Sequence, residues 1–113
     1  MTPWTEYTQE NVNLVPDEII GVFQLAHEEG KIAFVGGTYT DLRQSLNTYL
    51  GKGYTHFQWV KLPWTREVFE MSCRLYHFGG GGRSLDNIDH PYPPEGKFWS
   101  CPVSTKSAAT CEL

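Results

Sequence analysis

No stretch of this 113-residue chain approaches the ~18 consecutive apolar residues that a membrane-crossing helix needs. Basic residues are few: nine Lys and Arg against thirteen Asp and Glu leave a formal charge of −4, the wrong sign for a general grip on phosphate backbones. Arg66, Arg74 and Arg83 fall in one region, but they read as scattered solubilising charge. The three cysteines, Cys73, Cys101 and Cys111, are odd in number and form no CxxC pair, so neither a disulfide framework nor a zinc ribbon is signalled and reduced thiols are expected. The opening Met1-Thr2-Pro3-Trp4-Thr5-Glu6 lacks the basic-then-apolar order of a secretory signal. The expected compartment is therefore cytoplasmic, and the expected partner is a protein, with nucleic acid disfavoured by charge and no membrane contact. Internal repeats and low-complexity tracts are also missing.

Apolar residues make up 40% of the chain and aromatics 14%, enough for one core without disulfide or metal support. Residues 1–18 are polar with scattered anchors and read as an N-terminal arm holding at most one helical turn, since Pro16 blocks helix continuation. The folded domain is expected over 19–103, and 104–113 is expected to be a flexible tail. Ile19 to Ala26 is a β-branched and aromatic run; His27-Glu28-Glu29-Gly30 turns it, and Lys31 to Val35 resumes, which predicts a β-hairpin. Gly36-Gly37 is expected to turn the backbone sharply, with Thr38, Thr40 or Asp41 capping a helix. Leu42, Leu46, Tyr49 and Leu50 carry helical spacing over about three turns, until Gly51 and Gly53 stop it. Tyr54 to Leu62 predicts a third strand, Pro63 ends it, and Thr65 to Phe78 predicts a second helix. Beyond Gly79 to Gly82 the proline-rich Asp89-His90-Pro91-Tyr92-Pro93-Pro94 forbids long regular structure. The order predicts a small α/β sandwich: a three-stranded sheet built from hairpin, helix, strand and helix, flanked by helices.

Gly21-Val22-Phe23 and Phe34-Val35-Gly36, followed by Asp41-Leu42, Leu46, Tyr49 and then Glu70 with Leu75, resemble the core of the GIY-YIG nuclease family over roughly residues 19 to 90. The resemblance implies that family's fold. It also implies a metal-binding glutamate at Glu70, tyrosine positions at Phe23 and Phe34, and the catalytic arginine position at Ser45. Tyr49 matches a tyrosine of the excision-repair members, and Asn87 an asparagine late in the domain, so Arg43, Tyr49 and Asn87 become candidate binding residues. Arg43 does not replace the missing arginine, because two residues along a helix point it to the opposite side. A general acid or base is worth roughly 10²–10⁴ in rate, and a preorganised charge stabiliser about 10²–10³. Losing both removes roughly 10⁴-fold or more from a phosphodiesterase. The expectation is a catalytically degenerate domain acting as a binding or interaction module, with no cofactor. Its alternative is a divergent nuclease holding Mg²⁺ or Mn²⁺ at Glu70, with Tyr39, His56 or His77 standing in for the tyrosines.

Plainer readings stand beside these. Phenylalanine on a strand is ordinarily core, and Glu70 sits one turn from both Arg66 and Arg74, the spacing of helix-surface ion pairs. Cys73 and His77 share a helix face and could bind a transition metal if His90 and Cys101 approached; residue statistics favour a core thiol beside a surface imidazole. Gly79 to Gly82 follow a helix instead of preceding one, so they are no phosphate cradle. Trp59, Trp64, Tyr92, Phe98 and Trp99 would stack nucleobases if they shared one groove, and otherwise cover core or present a protein-binding patch.

Overall fold

Six consecutive residues, Gly21 to Ala26, are buried although their side chains alternate between two faces, so this strand is covered on both sides. The computed structural model that establishes this describes residues 1–103, and the expected tail 104–113 lies outside the described residues. In chain order the elements are β1 (Thr5–Glu6), α1 (Gln9–Val12), β2 (Gly21–Glu28), β3 (Lys31–Thr38), α2 (Leu42–Tyr49), β4 (His56–Lys61) and α3 (Thr65–Phe78), followed by a 3₁₀ turn at Gly81–Arg83.

Among these four strands every pairing is antiparallel, in the spatial order β1-β4-β2-β3. The sheet thus has four strands, not the three expected. The additional strand is only Thr5–Glu6, too short to carry a period-2 pattern, and it pairs with His56 and Phe57. Its neighbours tighten the join: the Thr2 amide donates to the Trp59 carbonyl at 2.9 Å and the Trp59 amide to Thr2 Oγ1 at 3.0 Å.

The alternation of β2 divides the core. Phe23 and Leu25 pack with Leu42 and Leu46 of α2 and with Tyr7, Val12 and Val15 from the segment expected as an arm. The Tyr7 hydroxyl donates to the Leu46 carbonyl, tying that segment to α2. On the other face Val22 and Val35 meet Val68 and Tyr76 of α3 and Leu85 beyond it. Helices therefore cover both faces of an antiparallel sheet. Asp41 caps α2 by accepting from the Gln44 amide at 3.3 Å, and Thr38 Oγ1 accepts from the Thr40 and Asp41 amides to shape the entry. The helix spans eight residues, about two turns instead of three. Gly36 and Gly37, expected to turn the chain, instead continue β3 opposite Phe23 and Val22. A β-carbon on Gly36 would stand 2.3 Å from Cζ of Phe23, and one on Gly37 2.4 Å from Ser72 Oγ. These glycines admit close neighbours; they do not bend the backbone.

As the last strand of the sheet, β3 has an outward row of backbone groups that no strand among the described residues satisfies. Residues 86–87 cover part of it. The Asp86 amide donates to the Ala33 carbonyl at 2.6 Å, Asn87 Oδ1 accepts from the Val35 amide at 3.0 Å, and Asn87 Nδ2 donates to the Val35 carbonyl at 2.7 Å.

Candidate functional site

Along that covered edge lies a cleft of about 580 Å³ whose walls include Phe34, Tyr39, Tyr49, Tyr54 and Tyr92. Phe34 and Tyr49 have ring centroids 4.7 Å apart, and Phe34 and Tyr54 6.2 Å. The segment 86–92 forms the opposite wall, where Ile88 is 95% exposed and the Tyr39 hydroxyl donates to the Tyr92 carbonyl at 2.5 Å. Burial pushes the Tyr39 phenol above its ordinary range. Among the described residues, Asp86 and Asp89 place two carboxylates on the lining, against the single ammonium of Lys52.

At one end of the cleft Asp86 Oδ2 accepts from the Tyr54 hydroxyl at 3.0 Å and meets His27 Nε2 at 2.8 Å, while His27 Nδ1 lies 3.1 Å from the Gly53 carbonyl. The His27 ring stacks on Tyr54 at 4.7 Å. Burial, assisted by the bond to Asp86, pushes the Tyr54 phenol up to about 12. The Asp86 hydrogen bond, then the Gly53 bond, raises His27 above its ordinary 6.5. A group raised on folding contributes stability that is complete below its unfolded pKa and is lost as pH rises through the folded value. His27 should therefore titrate above 6.5 by NMR, and the melting temperature of the wild type should fall relative to that of Asp86→Asn as pH rises from about 6 to 8. The side chains are 53% and 47% exposed, so the effect is small, and a His27 titration at or below the free value would contradict the bond.

The positions assigned by the family resemblance do not share one cleft. Phe23 and Phe34 are brought together, their rings 6.1 Å apart, and each contacts Tyr49. Ser45 is half-buried on α2, beyond the lining of the cleft. Arg43 is occupied elsewhere: its Nε donates to the Val15 carbonyl at 2.6 Å and its guanidinium stands 3.9 Å from Asp17. Asn87 is bound to Val35 as described. Glu70 rides on α3, which covers the face opposite Phe23, and accepts from Arg66 Nε at 3.3 Å in a shallow depression shared with Glu67, Met71 and Arg74. That setting does not fit Mg²⁺ or Mn²⁺: a carboxylate neutralised by a guanidinium, with a second cation nearby, is a poor oxygen cage. Of the stand-ins for tyrosine, Tyr39 serves the cleft wall, His56 bonds Thr55 Oγ1 at 2.9 Å, and His77 faces His90. The aromatic set is dispersed too. Trp99 packs on Phe69, Trp59 on the α2-side core, Tyr92 lines the cleft, and Trp64 and Phe98 are exposed.

One constellation comes together that residue statistics had disfavoured. Ligand atoms of Cys73, His90 and Cys101 all lie within 4.8 Å of one another, and His77 Nε2 is 3.2 Å from His90 Nε2. His77 is half-buried instead of lying on the surface, and burial lowers both imidazoles below their ordinary pKa. His90 and Cys101 reach α3 from the irregular segment after it, so no fixed spacing announces them; Cys73-x-x-x-His77 on a helix is the one local signal.

A scan against protein-family models finds no match, and searches of curated proteins and of solved structures find none either.

Proposed function

We propose that the domain is a non-enzymatic binding module, a degenerate relative of the GIY-YIG nucleases, whose cleft along β3 receives a protein segment combining an apolar side chain with basic residues. The observation that carries this reading is the make-up of the cleft: aromatic rings, an exposed Ile88, and the carboxylates of Asp86 and Asp89 facing one lysine. An acidic lining in a chain of charge −4 repels phosphate and attracts a cationic peptide. The phosphodiester-cleaving positions support the same reading. Phe23 and Phe34 carry no hydroxyl, Ser45 no charge, and Glu70 is paired with Arg66 on the other side of the sheet.

The test pairs capture with catalysis. A partner recovered from native cells with wild-type protein should be lost with Ile88→Glu, whose wild-type side chain is exposed, so that the fold survives the change. Salt should weaken the complex, since rim charges act through water. Plasmid, single-stranded and branched DNA incubated with Mn²⁺ should remain intact, and any cleavage should be equal in the wild type and Glu70→Ala. Glu70-dependent cleavage would replace the binding module with a divergent nuclease.

A further inference from the structure

We propose that Cys73, His77, His90 and Cys101 form a binding site for a divalent transition metal of the zinc class, which fastens the irregular C-terminal segment to α3. This inference is independent of the cleft's ligand.

Four independent features of the geometry point to it. First, the donor set, two sulfurs and two imidazole nitrogens, is the one that tetrahedral Zn²⁺ takes in structural sites. Second, the spacing is close to that required. Bond lengths near 2.3 Å to sulfur and 2.0–2.1 Å to nitrogen put tetrahedral ligand atoms roughly 3.3–3.8 Å apart. The three atoms of Cys73, His90 and Cys101 stand within 4.8 Å of one another, and His77, outside that group of three, reaches it through its Nε2, 3.2 Å from the Nε2 of His90, so its imidazole must turn toward the sulfurs to serve as the fourth ligand. Third, His90 is oriented for the task. Its Nδ1 lies 2.7 Å from the Pro91 carbonyl, so the Nδ1–H donates a hydrogen bond to that oxygen and Nε2 keeps its lone pair for a metal, the outer contact that metal-binding histidines use. Fourth, the surroundings are dry: Cys73 is 0% and Cys101 2% exposed, and Phe69, Trp99 and Tyr39 pack around them.

Charge balances in such a site. Zn²⁺ displaces one proton from each thiol, the two thiolates offset the dication, and the imidazoles bind neutral, so a buried neutral complex results and two protons are released to solvent. The fold has a use for the fastening. Pro91, Pro93 and Pro94 deprive the segment of amide donors. A metal would bridge its His90 and Cys101 to α3 and thereby set the wall of the cleft.

The test begins with wild-type protein purified under reducing conditions. Elemental analysis should give one zinc per chain. After chelation, Co²⁺ should restore one equivalent with thiolate-to-cobalt charge-transfer absorption and the intense visible bands of a tetrahedral ion. Zn²⁺ in large excess over its Kd should raise the unfolding midpoint by roughly 10 °C or more. Cys73→Ser and Cys101→Ser should each abolish the charge-transfer spectrum or weaken binding at least ~10-fold, and His56→Ala should leave it unchanged. His77→Ala should retain Co²⁺ with altered visible bands as water replaces the imidazole, and an unchanged spectrum would remove His77 from the ligand set. Should a cysteine variant fail to fold, the wild-type cobalt spectrum still decides. Absence of thiolate charge transfer in the wild type, or metal uptake indifferent to Cys73→Ser, would each overturn the site.

Discussion

Gly36→Ala should destabilise the domain by about 1–3 kcal/mol, and shortening Phe23 should recover much of that loss. The new β-carbon would lie 2.3–2.8 Å from three atoms of the Phe23 ring, which is itself confined by Phe34 at 6.1 Å and Tyr49 at 6.0 Å. The ring cannot swing aside into this aromatic cluster, so the strand or the ring must shift. Phe23→Leu alone leaves a cavity and costs stability; combined with Gly36→Ala it lets the added methyl occupy part of the vacated space. Urea unfolding of the two single variants and the double variant should therefore show a favourable coupling of about 0.5–3 kcal/mol. Strict additivity would mean that the ring does not lie over the glycine. Gly21→Ala provides the contrast. There the β-carbon meets the Val60 carbonyl oxygen at 2.0 Å, a backbone atom that no side-chain truncation relieves.

This pairing accounts physically for part of what the sequence discloses. Glycine in a strand reads as a turn or a break, and Gly36-Gly37 invites that reading; the actual reason is contact, with Phe23 over one residue and Ser72 against the next. Thr65 to Phe78 is found at the bounds that its apolar stripe indicates, because fourteen residues of period 3.6 leave little ambiguity. The hairpin is likewise legible from its β-branched runs and the polar cluster between them, although His27 and Glu28, expected in the turn, continue β2 and leave the turn to Glu29-Gly30, with the glycine at φ +85°. Thr5–Glu6 is not legible, since a two-residue strand has no periodicity and is defined by its partner His56–Phe57. The burial of Tyr7, Val12 and Val15 has the same origin: isolated anchors in a polar segment look peripheral until α2 lies beneath them.

The site is less legible than the fold because it is assembled from segments distant in sequence. Phe34, Tyr49 and Tyr54 occur close together in the chain, but the wall opposite them comes from residues 86–92, whose composition reads only as loop. Cys73 and His77 announce one half of a ligand set, and the other half arrives with a segment that has no pattern of its own. Glu70 illustrates the converse. The family resemblance assigns it a metal-binding role from sequence, whereas its position on α3, across the sheet from Phe23, depends on the face each helix covers.

Asn87→Ala should cost about 2–4 kcal/mol, a large effect for a side chain outside the apolar core. Val35 is 1% exposed, and its amide and carbonyl both bond Asn87, so they point away from β2 toward the sheet edge. Asn87 supplies one acceptor and one donor to that residue at 3.0 and 2.7 Å, as a neighbouring strand would. Truncation leaves both backbone groups without these partners and frees the stretch that carries Ile88 and Tyr92, so the cleft loses one wall. The melting temperature should drop by roughly 10 °C, amides of Val35 and Asp86 should exchange faster with solvent, and binding in the cleft should weaken in parallel. Asn87→Asp keeps an acceptor for the Val35 amide and sets a carboxylate against its carbonyl, so it should be destabilising at neutral pH and recover partly once the acid is protonated. If Asn87 instead contacts a ligand directly, alanine would abolish binding while leaving melting and exchange unchanged. Measuring stability and affinity on the same variant separates the two roles, because a latch must affect both and a contact only the second.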